Sequence, residues 1–187
     1  MVKRLRGKAW VFDGIMDVDW EICPYPELRD AGVELGVWGR YEVIGQFAMI
    51  KVDADFPKKV RKGDFIVASD NFGYGHDHDT GPKAVKGAGV GAVLCESAGP
   101  YFLRNSLDHG LPVVEVKGIR KAVQQGDELE LDLERGHVKN LRTQEELNFK
   151  PFPSFILEML DAGGIYPWVE QQLNAGTLRP DPRRAAT

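Results

Sequence analysis

Residues 64–87 read DFIVASDNFGYGHDHDTGPKAVKG, and this stretch decides the fold. Its beginning, Asp64–Ser69, is short, apolar and β-prone, which is typical of a buried strand. Near its end, Pro82 suits the first turn of a helix, with Asp79 or Thr80 as the cap. The stretch therefore predicts a strand, a glycine-rich loop and a helix. An open α/β sheet binds small anions at such a junction, because the backbone N–H groups of the helix terminus are free there.

The flanking sequence extends this unit into a mixed sheet. Strands are predicted at 7–12, 46–52, 64–69, 90–96, 111–116, 128–134 and 137–141, and further helices at 98–109, 152–162 and around 168–173. The middle of the chain alternates strand and helix, which is typical of parallel βαβ units, whereas 128–141 alternates as an antiparallel hairpin. We predict an α/β fold of the swivelling β/β/α kind, with a small barrel-like mixed sheet flanked by helices.

Composition and length restrict the class of protein. The chain has 187 residues, 43% hydrophobic and 28% charged, with a net charge of −4. These values are typical of one globular domain, which we expect over residues 1–176, followed by a disordered tail at 177–187 that is rich in proline and arginine. The sequence shows no basic face for nucleic acid, no apolar run long enough for a membrane span and no secretory signal. We therefore expect a cytoplasmic protein.

Several ordered motifs resemble one known family. They are 60–68 (VRKGDFIVA), 71–75 (NFGYG), 82–93 (PKAVKGAGVGAV), 101–106 (YFLRNS) and 110–113 (GLPV). This series is similar to the small subunit of 3-isopropylmalate dehydratase, the swivel domain of the aconitase superfamily. The likeness extends over roughly residues 7 to 170. It implies a hydro-lyase that removes water from a hydroxy-carboxylic acid and adds it back.

The resemblance also implies a partner and a cofactor. In that family a separate large subunit binds a 4Fe–4S cluster, and the active site forms between the two subunits. The small subunit carries no cluster, and it supplies a base and contacts to substrate carboxylates. This chain fits that division because it has only Cys23 and Cys95, too few thiols for an ordinary four-iron cluster.

The loop departs from the family pattern. After the start Asn71-Phe-Gly-Tyr, whose fourth position varies in the family, the family reads Gly-Ser-Ser-Arg-Glu-His, and here the same positions are 75–80, Gly-His-Asp-His-Asp-Thr. His76 occupies the serine position that the family uses as the base, and His78 occupies the arginine position that clamps a carboxylate. A neutral imidazole cannot replace the bidentate grip of arginine. The resemblance implies 3-isopropylmalate as the substrate, and the altered loop makes a related, methylmalate-like acid a second option.

Three interpretations of the loop remain open. In the first, His76 or His78 abstracts a proton, with an adjacent aspartate orienting the ring. In the second, the loop has lost its catalytic role and the chain is a structural or interaction domain. In the third, the His-Asp-His-Asp run binds a metal ion of its own, although so short a spacing is weak evidence.

We assign the candidate site residues on the first interpretation, with no metal ligand among them. The catalytic candidates are His76, Asp77 and His78, and the substrate-binding candidates are Asn71, Gly73, Gly75, Asp79 and Arg104. Three further positions have structural interpretations. Asp17 and Asp19 are expected in a solvated turn, with contact to the partner or to a water near the site as the alternative. Arg104 and Asn105 could instead support the loop, and His109 is expected at the carboxyl end of a helix.

Overall fold

The computed structural model describes residues 3–33 and 41–178. The strands are β1 (Arg4–Phe12), β2 (Phe65–Ala68), β3 (Ala92–Cys95), β4 (Val113–Glu115), β5 (Glu128–Asp132), β6 (His137–Asn140) and β7 (Glu146–Asn148). The helices are α1 (Tyr25–Asp30), α2 (Tyr41–Gly45), α3 (Phe56–Lys59), α4 (Thr80–Gly87), α5 (Pro100–Asp108), α6 (Ile119–Ala122), α7 (Ser154–Ala162) and α8 (Ile165–Asn174), with a π-helical turn at Val18–Ile22.

The seven strands form one mixed sheet in the order β4-β3-β2-β1-β5-β6-β7. The first four strands of that order pair in parallel, and β1, β5, β6 and β7 pair antiparallel. The sheet curls into a half-barrel with helices against it, so the predicted α/β fold with a barrel-like mixed sheet is confirmed.

The parallel strands are buried on both faces. Every residue of β2 and β3 is buried. In β2, Ile66 and Ala68 pack into one apolar cluster, and Phe65 and Val67 pack into another on the opposite face. A strand covered on both sides needs a continuous apolar sequence, which is why the Phe-Ile-Val-Ala run contains no polar residue.

The loops after the parallel strands meet at one edge of the sheet. Strands β1, β2 and β3 run in the same direction. The segments that follow Phe12, Ala68 and Cys95 therefore begin at the same edge of the sheet, where the carboxyl ends of these strands lie. Two isolated bridges continue the pairing beyond the strands, Phe72 with Ala98 and Asp17 with Tyr74. The loop at 69–79 is therefore placed between the loops of its two neighbouring strands.

The strand predicted at 46–52 is wrong. Helix α2 ends at Gly45, turns follow, and Met49 has a φ of 57°, which an extended strand cannot contain. The segment is apolar because Ala48 and Met49 are buried against the core, not because it joins the sheet. Gly45, just before this segment, packs directly on the backbone of Gly87 in α4, where a Cβ on Gly45 would lie 2.3 Å away. This contact holds the segment over α4.

The structure differs from the other predicted segments in smaller ways. The surface loop expected at 24–41 contains α1, and its residues 34–40 lie outside the described residues. Strand β7 has no counterpart among the predictions, and the last helix is longer than expected. Of the predicted tail, 179–187 lie outside the described residues, while the Thr177 N–H donates to the Gln172 carbonyl at 3.1 Å. The single domain over 1–176 stays a prediction.

No helix within residues 3–33 and 41–178 has both the length and the apolar character needed to cross a lipid bilayer.

The first prediction concerns the buried carboxylate of Asp127. It accepts hydrogen bonds from Arg142 Nη2 at 2.9 Å and Asn140 Nδ2 at 2.7 Å, and the Arg142 interaction lowers its pKa to about 2. A lowered pKa stabilises the fold above the ordinary carboxyl range, and this contribution disappears as the pH falls from about 4 to about 2. We expect Asp127→Asn to cost about 2 kcal/mol at pH 7 and almost nothing at pH 2, measured by urea unfolding. A pH-independent difference would contradict this assignment.

Candidate active site

The loop between β2 and α4 owes its shape to residues with left-handed backbone. Asn71, Gly73 and Gly75 have φ values of 57°, 75° and 114°. A Cβ on Gly73 would lie 2.2 Å from the Phe102 ring, and one on Gly75 would lie 2.6 Å from Asp17 Oδ2. Glycine is needed at both positions because only hydrogen fits there. These three candidates for substrate binding therefore shape the loop.

The centre of the site is the carboxylate of Asp19. His76 Nδ1 lies 2.8 Å from Asp19 Oδ2, and His78 Nδ1 lies 2.9 Å from the same oxygen and 3.1 Å from Oδ1. An ionised carboxylate only accepts hydrogen bonds, so both imidazoles donate from Nδ1. This tautomer leaves Nε2 of each neutral ring as a lone-pair acceptor.

Asp19 is held in place by the π-helical turn. The Asp19 side chain is 9% exposed, its own N–H donates to Asp17 Oδ1 at 2.7 Å, and the Asp17 N–H donates to Glu21 Oε2 at 2.9 Å. The expectation that Asp17 and Asp19 form a solvated turn is therefore wrong for Asp19. Its burial is tolerated because two imidazole N–H groups donate to the carboxylate.

Both imidazoles are exposed on their outer side. The His76 side chain is 78% exposed and that of His78 is 47% exposed, and the Tyr25 ring stacks beside His78 with 6.4 Å between centroids. The hydrogen bond to Asp19 raises the pKa of His76, and the nearby Asp17 and Asp77 act in the same direction. The pair thus presents polarised rings on an accessible surface.

Helix α5 supports the loop through a side-chain hydrogen bond to its backbone. Asn105 Nδ2 donates to the backbone carbonyl of Asp77 at 2.8 Å, and the Arg104 guanidinium donates to Asn105 Oδ1 at 3.1 Å while lying over the Tyr101 ring. Asn105 has the supporting role that was expected for this pair. Arg104 is exposed and precedes Asn105, the residue that anchors the loop.

Asp79 lies at the cap of α4 in a buried network. Its Oδ2 accepts from Lys83 Nζ at 2.8 Å and from His109 Nε2 at 3.1 Å, and Tyr41 OH lies 3.0 Å from His109 Nδ1. The contact with His109 leads in lowering the pKa of Asp79 to about 2. Asp79 therefore anchors the end of the loop to two buried side chains.

The structure brings together some predicted residues and separates others. His76 and His78 converge, whereas the Asp77 side chain is exposed and Asp79 turns toward the core network. Sequence reasoning missed Lys83 and Tyr41 as parts of the site. It placed Asp19 near the site only as the alternative to a solvated turn, and it assigned His109 only to a helix end. Lys83 gave a usable signal, because it follows Asp79 by four residues, the spacing at which a helix pairs opposite charges.

The side chains of this chain do not suit an iron–sulfur cluster, but three of them could hold a single metal ion. Cys23 and Cys95 are both buried, and burial raises the pKa of each thiol to about 12, so this chain does not fit a 4Fe–4S cluster. One ligand atom from each of Asp19, His76 and His78 lies within 4.8 Å of the others. Such a set can hold a single ion.

Comparisons with known proteins find relatives over nearly the whole chain. No known family profile matches the chain. It is 41% identical over 169 residues to the isopropylmalate/citramalate isomerase small subunit of Methanocaldococcus jannaschii, covering 90% of this chain and 95% of the relative. It is 38% identical over 169 residues to 3-isopropylmalate dehydratase small subunit 1 of Thermotoga maritima, covering 89% and 95%.

A solved structure extends the comparison to the fold. The crystal structure of 3-isopropylmalate dehydratase from Methanocaldococcus jannaschii matches with a TM-score of 0.79 and 28% identity, covering 93% of this chain and 98% of that one. The fold and the loop at the sheet edge define a swivel-type domain of the aconitase superfamily. The chain belongs to the family of 3-isopropylmalate dehydratase small subunits.

The second prediction uses two ion pairs that differ in burial. Asp79–Lys83 and Asp55–Lys59 both have a four-residue spacing and a distance of 2.8 Å, but Lys83 is 1% exposed and Lys59 is 61% exposed. We expect Asp79→Asn to cost about 3 kcal/mol, because a buried ammonium loses its anion. Asp55→Asn should have little effect on stability, because water and salt screen a fully exposed ion pair.

Denaturant unfolding measures both changes. Adding Lys83→Met to the Asp79→Asn variant should recover at least half of the loss, because it removes the unpaired buried charge. Equal effects of Asp79→Asn and Asp55→Asn would show that the network does not anchor the loop.

Proposed function

We propose that this chain is the small subunit of a two-subunit hydro-lyase that dehydrates and rehydrates a hydroxy-carboxylic acid. The observation that carries the proposal is its 41% identity, over nearly the full length of both chains, to a small subunit named for isopropylmalate and citramalate. The exposed His76–His78 loop supports it, because the open side of this half-site is available to a partner.

The partner in this proposal is a large subunit that carries the 4Fe–4S cluster. Support comes from the names of the relatives, which describe small subunits, and from the two buried cysteines of this chain, which do not fit a cluster. In the complex that cluster would supply Lewis-acid chemistry from the partner's side. The cytoplasmic location remains part of the proposal.

We assign proton abstraction to His76. With Nδ1–H donated to Asp19, the Nε2 lone pair is available to accept the proton from the substrate carbon next to a carboxylate. The C–H electron pair then forms the double bond as the neighbouring C–O bond breaks and hydroxide leaves toward the partner. The buried Asp19 carboxylate stabilises the imidazolium that results, and the same steps in reverse hydrate the double bond.

The substrate in this proposal is 3-isopropylmalate or a related methylmalate-like acid. His78 stands where the family clamps a carboxylate with arginine, and Asp17, Asp19 and Asp77 make this side of the pocket acidic. We assign the lost contact to Arg104, whose guanidinium is exposed beside the loop and can form a bidentate pair with a carboxylate. His78 and Asp77 complete the polar wall of the pocket.

A substrate screen on the reconstituted pair tests the proposal. The chain is co-expressed with the large subunit of its own source and purified without oxygen, and formation of the unsaturated acid is followed for 3-isopropylmalate, citramalate and related hydroxy acids. Dehydration of one of them is expected. A stable complex that turns over none of these acids would instead favour the non-catalytic interaction domain.

The third prediction is made for the base. His76→Ala should lower kcat by at least about 100-fold, the usual contribution of a general base, and leave assembly with the large subunit unchanged because His76 is mostly exposed. His137→Ala, which changes a histidine at the start of β6, is the matched control and should retain the wild-type rate. An unchanged rate for His76→Ala would end the assignment.

The fourth prediction is made for the carboxylate contact. Arg104→Gln should raise KM by about tenfold or more with a smaller effect on kcat, because a charged bidentate contact is lost from both the ground state and the transition state. Arg135→Gln, on the turn between β5 and β6, serves as the control. If KM stays the same in Arg104→Gln, another group holds the carboxylate.

A further inference from the structure

Three side chains with metal-binding atoms converge on one point of the surface. The Nδ1 atoms of His76 and His78 lie 2.8 Å and 2.9 Å from one oxygen of Asp19. Zinc bonds of about 2.0–2.2 Å place the ligand atoms of a tetrahedral site about 3.4 Å apart. Small rotations of two exposed imidazoles would therefore turn the present hydrogen-bonded cluster into a coordination shell.

The arrangement of this cluster favours a cation in two further ways. Asp19 is buried and fixed by the π-helical turn, and the loop is fixed by the Val18 N–H to Tyr74 carbonyl bond of 2.9 Å and by the Asn105 bond to Asp77. The ligands thus need little additional ordering on binding an ion. The carboxylates of Asp17 and Asp77 also lie near the His76 imidazole and make the site acidic.

We propose that Asp19, His76 and His78 bind one divalent transition-metal ion of the class that prefers imidazole ligands, such as zinc or cobalt. The ion takes the place of the hydrogen atoms between the imidazoles and the carboxylate. In a neutral ring the Nδ1 proton moves to Nε2, and a charged ring releases its Nδ1 proton to solvent. Three protein ligands leave a fourth position for water, because the outer sides of both rings are exposed.

Binding of the ion has a consequence for catalysis. A His76 ring coordinated through Nδ1 keeps its remaining proton on Nε2, so it can no longer accept one from the substrate. The loaded subunit is therefore inactive, and a chelator restores it. This consequence rests on the proposed function, whereas binding of the ion does not.

Calorimetric titration of the metal-free full-length chain with Zn²⁺ tests the site directly, and Co²⁺ adds a visible spectrum that reports tetrahedral coordination. One ion per chain is expected. His76→Ala and His78→Ala should each weaken binding at least tenfold, and Asp19→Asn should do the same if circular dichroism shows that it folds. His137→Ala should bind as the wild type does, and Mg²⁺ should not bind, because it requires oxygen ligands.

The outcomes separate the two proposals. Absence of stoichiometric Zn²⁺ binding, equal binding of Mg²⁺, or unchanged affinity in both histidine variants would overturn the metal site. For the catalytic consequence, a Zn²⁺-loaded chain freed of excess metal is mixed with the large subunit. If the chain binds Zn²⁺ at these residues and the loaded complex is as active as the metal-free one, the site stands and the assignment of His76 as the base fails.

Discussion

One buried carboxylate, that of Asp19, determines how the exposed loop can act. It accepts from His76 and from His78 at 2.8 to 3.1 Å, so both rings are fixed in position and in tautomer although His76 is mostly exposed and His78 about half exposed. A free loop histidine would sample many orientations, and ordering it on substrate binding would cost free energy. Here that ordering is part of the folded state, which is what a base or a metal ligand requires.

The rest of the fold holds the loop with the two histidines close to Asp19. The parallel half of the sheet brings the loops after β1 and β2 to the same edge, and the bridge between Asp17 and Tyr74 joins them. The other end of the loop is tied to the core through Asp79, which contacts Lys83 and His109. The loop is therefore held at both ends by polar contacts, and glycines in between allow it to pass close to its neighbours.

The strand, loop and helix around residue 76 were predictable because their signals are local: an apolar run, glycines and a proline at a helix start. The family could be recognised from the sequence for the same reason, because its motifs are short local segments. The role of Asp19 was not, because its partners lie 57 and 59 residues further along the chain. The false strand at 46–52 has a related cause, since an apolar segment that covers a sheet and one that joins it share a composition. Only tertiary packing separates the two.

The central claim is that Asp19 fixes both imidazoles through their Nδ1 atoms. Nitrogen-15 NMR of the histidine rings in the full-length chain tests this most directly, because the shifts of Nδ1 and Nε2 identify which nitrogen carries the proton. The account predicts that His76 and His78, when neutral, hold the proton on Nδ1, and that Asp19→Asn removes this preference while leaving His137 unchanged. Neutral rings of His76 and His78 protonated on Nε2 in the wild-type chain would contradict it.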